Sequence, residues 1–316
     1  MKRVLLPLLG LSAVGLRADH GPGTSGGGLS VMSGEVLRPG AFSLDWRSDY
    51  TAFRSLDDAG IAAKAADAGG IDLLDHSWLH SVSLGVGLTE TVQLSATVGW
   101  YAPSGGATAS VDPATGAVTR VANDPRGLTD LWINAKWAVY KGPAGRLALT
   151  GGVKLPTGKK DVRDASGDPV DFASTPGSGA TDFQAGLGYS TFLTAHLTLD
   201  ASVARTFRGT YRGYRLGDRT DAGAALAWRL TDSIRSYPQG SLFLELNYRD
   251  LDRVRDQGVT DGNSGGRALF TSPGFRLAFS PRSALTLAGQ LPLRQSPNGA
   301  QTETRFKAVV ALSFSF

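Results

Sequence analysis

The chain has 316 residues, 41 of them glycine and none cysteine, with a formal net charge of +4 and a mean hydropathy of -0.09. Disulfides, thiolate metal sites and thiol catalysis are therefore excluded, and the chain is too polar for a bundle of membrane helices. Its charges are spread along the sequence, without the basic block that nucleic acid would need.

The first eighteen residues, MKRVLLPLLGLSAVGLRA, have the pattern of a secretory signal peptide. Lys2 and Arg3 are basic, Val4 to Leu16 are mostly apolar, and Leu16-Arg17-Ala18 is an acceptable cleavage site. No other stretch approaches the roughly 18 apolar residues of a spanning helix. Residues 19–40, DHGPGTSGGGLSVMSGEVLRPG, are Gly-rich and leave two readings open. They form either a disordered periplasmic tail or a segment tucked into a pore as a plug.

From residue 41 to the end the dominant period is two. TVQLSATVGWY places Val92, Leu94, Ala96, Val98 and Trp100 on one face, and LWINAKWAVY repeats the alternation. About twelve such runs, each near the length of a membrane strand, are expected. They lie near 41–50, 76–88, 91–101, 128–140, 146–155, 179–190, 195–208, 218–231, 239–250, 266–280, 283–295 and 302–316. The connections alternate between long and short, with 296–301 the weakest member of the long set. The fold expected is all-β, a transmembrane antiparallel β-barrel of about 12 strands with short periplasmic turns and long extracellular loops. Within the first long loop, LDDAGIAAKAADAGG suits a short helix over the outer mouth.

In such a barrel the apolar face meets lipid and the other face lines a polar interior. The expected lumen-lining residues are Asp45, Arg47, Asp130, Lys136, Lys154, Asp182, Asp200, Asp221, Arg229, Glu245, Arg249, Arg276, Arg294 and Lys307. Trp46, Trp78, Trp100, Trp137 and Trp228 fall on the apolar face, as an interfacial aromatic girdle requires. The last run, RFKAVVALSFSF, ends in Phe316, which resembles the C-terminal assembly signal of outer-membrane barrels.

GGVKLPTGKK, residues 151–160, looks at first like a phosphate loop. The loop needs G-x-x-x-x-G-K-[ST], but Gly152 and Gly158 enclose five residues, Lys160 stands where the hydroxyl belongs, and Pro156 removes a backbone N–H. The stretch instead reads as a strand running into a charged outer loop.

GLTDLWINAKWAVY, GGVKLPTGKKD and PGSGATDFQAGLGYS resemble a family of outer-membrane proteins, the transporter family of the meta-pathway of phenol degradation. That family lies near hydrophobic-compound channels related to the fatty-acid transporter, and the resemblance covers roughly residues 75–316. It implies a barrel that passes small, often apolar or aromatic molecules, and it carries no catalytic residues across.

Other chemistry is weakly supported. His76 and His80 share a strand face but stand roughly 13 Å apart at about 3.3 Å per residue, too far for one ion. Asp19-His20, as a free mature terminus, could hold copper only with further ligands. DGNSGG at 261–266 lacks the later ligands of a calcium loop. A Ser–His–carboxylate hydrolase would need a partner from another strand. No cofactor is expected. The expected partners are outer-membrane lipid and lipopolysaccharide, the barrel assembly machinery and a small-molecule solute. Passive uptake of hydrophobic or aromatic molecules is the leading function, with a closed structural or interaction barrel as alternative. A lipid-modifying enzyme or a metal-efflux barrel stands behind both.

Overall fold

A computed structural model describes residues 29–65, 70–233 and 237–316. The signal-peptide reading, His20 and the first part of the Gly-rich segment lie outside the described residues. Twelve long strands form the wall: β1 Phe42–Phe53, β2 His76–Gly87, β3 Val92–Ser104, β4 Leu131–Gly142, β5 Gly145–Leu155 and β6 Asp182–Phe192. They continue as β7 Leu197–Phe207, β8 Arg219–Arg229, β9 Gln239–Leu251, β10 Gly266–Ser280, β11 Ser283–Pro297 and β12 Thr304–Ser315. Each pairs antiparallel with its chain neighbours, and β12 returns to pair with β1. Phe42 and Phe316 close the seam by exchanging backbone bonds of 3.2 and 2.9 Å. A closed meander leaves no unpaired sheet edge, the condition for spanning lipid. The expected twelve-strand barrel and its alternation of short turns and long loops are both observed.

The polarity of the wall is inverted relative to a soluble barrel. On β9, Leu242, Leu244 and Leu246 are 52, 52 and 48% exposed, whereas Glu245 between them is fully buried. The same alternation makes Trp137, Leu187, Leu226 and Leu287 face outward and Lys136, Asp200, Arg276 and Lys307 face inward. An exposed apolar belt around a whole barrel far exceeds the patch of a few hundred Å² (about 300–600) found on soluble monomers. The belt belongs in a bilayer.

The long loops carry structure of their own. The expected short helix is present as α1, Asp58–Ala65, with Ile61 and Ala65 buried. It packs on a small three-stranded sheet made by residues 70–73, 107–111 and 118–122, where Ile71 and Ala109 complete a satellite core. A second satellite joins Ala173, Tyr214 and Val254 from three other loops. The hairpin 107–122 was not expected from sequence: its alternation is too short and polar to stand out from loop.

Candidate functional site

The three quoted motifs meet in one buried knot on the long-loop side. Asp130 precedes β4, Lys154 sits next to last in β5, and Asp182 opens β6. Lys154 Nζ lies 2.9 Å from Asp130 and 2.7 Å from Asp182, and Arg208 lies 2.7 Å from Asp182. Asp130 also accepts the backbone N–H groups of Gly158 and Ser178 at 2.9 and 3.0 Å. Here glycine is required by close approach: a Cβ on Gly177 would stand 2.6 Å from the Gly158 carbonyl carbon. Lysine and two carboxylates at the end of neighbouring strands thus lock the loops that follow β5 and precede β4 and β6. The stretch that resembled a phosphate loop is one strand of this knot, and Lys160 ends over the Tyr211 ring.

Deeper in the barrel lies a polar chamber of about 60 Å³. Arg47 grips Asp49 with two nitrogens, at 2.8 and 2.6 Å. Asp221 receives Arg249 at 2.8 Å, and Arg219 approaches it to 2.6 Å without hydrogen-bond alignment. Glu245 accepts the Ser30 N–H at 2.8 Å and the Asn247 amide at 3.2 Å. Gln290, Lys307, Phe270 and Val309 complete the wall.

Residues 29–40 run along this inward face. Their backbone N–H groups are taken one after another by wall side chains: Ser30 by Glu245, Met32 by Ser202 at 3.1 Å, Gly34 by Ser190 at 2.8 Å and Leu37 by Gln93 at 2.8 Å. In return Arg47 donates to the Leu29 carbonyl at 2.9 Å, Lys136 to the Glu35 carbonyl at 2.8 Å, and Arg146 pairs with the Glu35 carboxylate. Val31 and Ser33 are fully buried. The wall is shaped for this passage: a Cβ on Gly188 would meet the Ser33 carbonyl oxygen at 2.6 Å.

Of the expected lumen residues, Asp45, Arg47, Lys136, Lys154, Asp182, Asp200, Asp221, Glu245, Arg249, Arg276 and Lys307 have inward strand parity. Three sit differently. Asp130 is a buried loop residue of the knot. Arg229 ends β8 and binds the carbonyls of Thr231 and Ala195 at the short-turn rim. Arg294 is a correction: a register shift between Leu269 and Phe270 places it opposite Leu269, exposed and on the outward side. Sequence reading passed over Asp49 and Arg219, although both continue the period-two inward rows. Arg208 and Glu35 carried no such signal, since both lie outside strands.

The five girdle tryptophans all face outward, 36 to 54% exposed. Trp78 and Trp100 stand near the long-loop rim, and Trp137 and Trp228 near the short-turn rim, paired with Val92 and Leu197. Trp46 is different: it lies within β1, level with Val82, stacked near His80. His80 also meets Trp78 at 5.6 Å and the Ser48 hydroxyl at 2.9 Å, and His76 lies against Tyr50 at 5.5 Å. The two histidines thus belong to an outward aromatic cluster.

At the mouth, Asp72 ties the loops together. Its carboxylate accepts Thr108 at 2.9 Å and Ser174 at 3.4 Å, while its carbonyl accepts Thr302 at 2.8 Å. Burial, with the Asp171 charge added, pushes the Asp72 carboxyl up to about 7. Burial likewise pushes Asp171 up to about 6, opposed by its bond from the Ala173 N–H. The 261–266 loop is a tight turn in which Asp261 accepts the Asn263 N–H at 2.9 Å.

A family model described as the putative MetA-pathway of phenol degradation matches residues 20–306. No curated protein matches the sequence. Among solved structures, the COG4313 outer membrane channel from Pseudomonas putida F1 is 14% identical with a TM-score of 0.61, over 89% of this chain and 97% of that one. The NanC porin is 9% identical with a TM-score of 0.49, over 86% and 98%. The CymD monoaromatic hydrocarbon channel is 10% identical with a TM-score of 0.39, over 89% of each chain. At these identities the likeness is one of fold.

Proposed function

The chain belongs to the family described as the putative MetA-pathway of phenol degradation, and on that premise we propose that it is an outer-membrane channel for passive uptake of small hydrophobic or aromatic molecules. The observation that carries the reading is the barrel itself: an apolar outer belt around a polar lumen that holds a chamber and a chain segment instead of a packed core. Residues 19–40 act as its plug, with the inward charges as lining, the tryptophans as girdle and Phe316 as assembly signal. Lipopolysaccharide and the barrel assembly machinery are its partners in the membrane. A catalytic role finds little support, because the described histidines face outward or, for His196, sit in a short turn.

A polar lumen is a poor path for an apolar solute, so the wall supplies the exit. The β11–β12 ladder stops at Gln290 and Lys307, leaving Leu291–Pro297 without a partner in β12. The Gln295 amide spans the gap, donating to the Thr304 carbonyl at 2.8 Å and accepting the Thr304 N–H at 3.0 Å. On the other side of β11 the register skips Ser272 and Pro273. Pro292, which has no N–H, stands in this loosened patch.

The alternative, a closed structural barrel, is favoured by the number of internal ion pairs. The deciding measurement is uptake of a labelled aromatic by cells whose outer leaflet is lipopolysaccharide, a real barrier to such solutes, with and without the protein. Equal rates, together with no conductance in planar bilayers, would select the closed barrel.

A further inference from the structure

Of the three cations that line the chamber, Arg47 and Arg249 are held by Asp49 and Asp221. Lys307 is not: among the described residues it has no carboxylate within 4 Å and no hydrogen-bond acceptor, although it is only 7% exposed. Its ammonium stands 5.6 Å from the Phe270 ring centre and faces the chamber. Asp49 and Asp221 attract it from a distance while Arg47 and Arg249 repel it, and both carboxylates are already engaged. A buried ammonium left unpaired opposes folding. The chamber beside it has the space and the lining for a ligand that brings a negative charge.

The surroundings define the rest of that ligand. Phe270, Val309 and Ala288 give the chamber an apolar side. Continuous with it, Ala227, Phe243 and Ala311 hold the side chain of Leu29, a residue of the lumenal segment. A space of about 60 Å³ takes about four waters at roughly 15 Å³ each, enough for a carboxylate but not for a ring beside it. The ring has a place only where Leu29 now lies.

We propose that this chamber is a binding site for a small organic anion with an apolar body, such as an aromatic carboxylate or phenolate. Lys307 takes the charge, Phe270 and Val309 flank the body, and the body replaces Leu29, so that occupancy and release of the lumenal segment are coupled. This rests on the channel reading for its purpose, but its test does not.

The test is fluorine NMR titration of the full-length protein in detergent near neutral pH with 4-fluorobenzoate, pentafluorophenolate and neutral 4-fluorobenzyl alcohol. The wild type should bind the anions at least tenfold more tightly than the alcohol. Lys307→Met should abolish that preference and also raise the melting temperature, which loss of a merely structural lysine would not do. Lys307→Arg should retain the preference, and Leu29→Ala should tighten anion binding several-fold. Arg294→Met, which removes an outward cation, is the control and should change nothing. Unchanged benzoate affinity in folded, heat-modifiable Lys307→Met overturns the proposal, as does equal binding of acid and alcohol by the wild type. Anion binding that depends on Lys307 in a protein that conducts nothing would leave the site standing and remove the channel.

Discussion

Gly188 offers a way to move the lumenal segment without touching it. The residue faces inward on β6, where a Cβ would lie 2.6 Å from the Ser33 carbonyl oxygen and 2.9 Å from that of Met32. Those neighbours are backbone, so no rotamer change relieves the clash; the segment or the strand must shift. β6 is held by full ladders to β5 and β7, whereas the segment near Gly188 is held by the Arg146–Glu35 ion pair, a bond from Lys136 to the Ser33 hydroxyl and three bonds through its own backbone. The backbone bonds are Met32 N–H to Ser202, Gly34 N–H to Ser190 and Lys136 to the Glu35 carbonyl. At about 1 kcal/mol net each, losing them weakens docking by about 3 kcal/mol, a shift of roughly 150-fold towards the released state. Gly188→Val should therefore raise single-channel conductance in planar bilayers, and deletion of residues 19–40 should raise it as far or further. Gly289→Ala is the matched control, because a Cβ there meets nothing within 4 Å. If Gly188→Val folds into a heat-modifiable barrel yet conducts like the wild type while the deletion opens the pore, the docking geometry described for residues 29–40 is refuted.

Four further outcomes are expected. Lys154→Met removes the cation between two buried carboxylates, leaving Asp182 with Arg208 and Asp130 without a cation, and should destabilise the barrel by about 3–5 kcal/mol in a urea titration, whereas Lys160→Met in the outer loop that follows should not. Ala96 lies outward on β3, midway between Val92 and Trp100, so Ala96→Arg should lower folding stability in lipid by about 2–4 kcal/mol and Trp100→Arg by about 0–1; equal losses would mean the girdle is misplaced. Phe316→Ser keeps the backbone bonds to Phe42 and should slow membrane assembly without changing the final melting temperature; wild-type insertion kinetics would remove the assembly-signal reading. Asp72 and Asp171 have folded-state pKa values raised above those of free carboxyls, so the native loops hold the extra protons and the stability they confer is complete below about pH 4 and lost as pH rises through about 6 to 7. Loop amides in 70–73 and 107–111 should exchange more slowly at pH 5 than at pH 8 after correction for intrinsic rates, and Asp72→Asn should flatten the difference.

The wall was legible because a membrane strand must alternate, and the alternation persists over nine or more residues. β9 shows why: only an extended strand puts Leu242, Leu244 and Leu246 together on one face and Glu245 on the other. The pattern is lost where the period breaks. One extra residue on β11 carries Arg294 to the opposite face from that assigned by counting, because a single slip inverts every following side chain. The loop hairpin at 107–122 has no lipid to face, so its residues leave no apolar stripe. The path of residues 29–40 was out of reach for another reason. Its partners are backbone N–H groups, which every residue but proline carries, and sequence does not say which of them meets a wall serine or glutamate. Gly34 and Gly188 mark that path only after it is known. The motif knot was half legible: Asp130, Lys154 and Asp182 could be placed at strand ends, but their convergence needs the tilt and register of three strands.

The ion pairs inside the barrel fall into two groups with different consequences for opening. Asp130, Lys154, Asp182 and Arg208 join wall to loop, and Asp221, Arg219 and Arg249 join wall to wall; all of them survive if the lumenal segment leaves. The segment is fastened by single bonds to Ser202, Ser190, Gln93 and Glu245, and by Arg47 at Leu29, Lys136 at Ser33 and Glu35, and Arg146 at Glu35. In the low-dielectric interior the wall pairs are expensive to break, because each partner left behind is an uncompensated charge. The segment bonds are cheap to exchange, because a serine or amide that loses an N–H can take water in its place. Opening therefore follows the second set. Charges held by wall partners stay paired when the segment moves, whereas Lys136 and Arg146 lose their contacts with Ser33 and Glu35 and turn to water, so the open state has few bare charges and weak ion selectivity. Among the described residues Lys307 has no wall partner either, and it shares the chamber with Leu29 of the segment, at the point where the ladder to β11 stops. On the proposed route, a solute that satisfies it would do so where entry from the lumen and exit to the bilayer are adjacent.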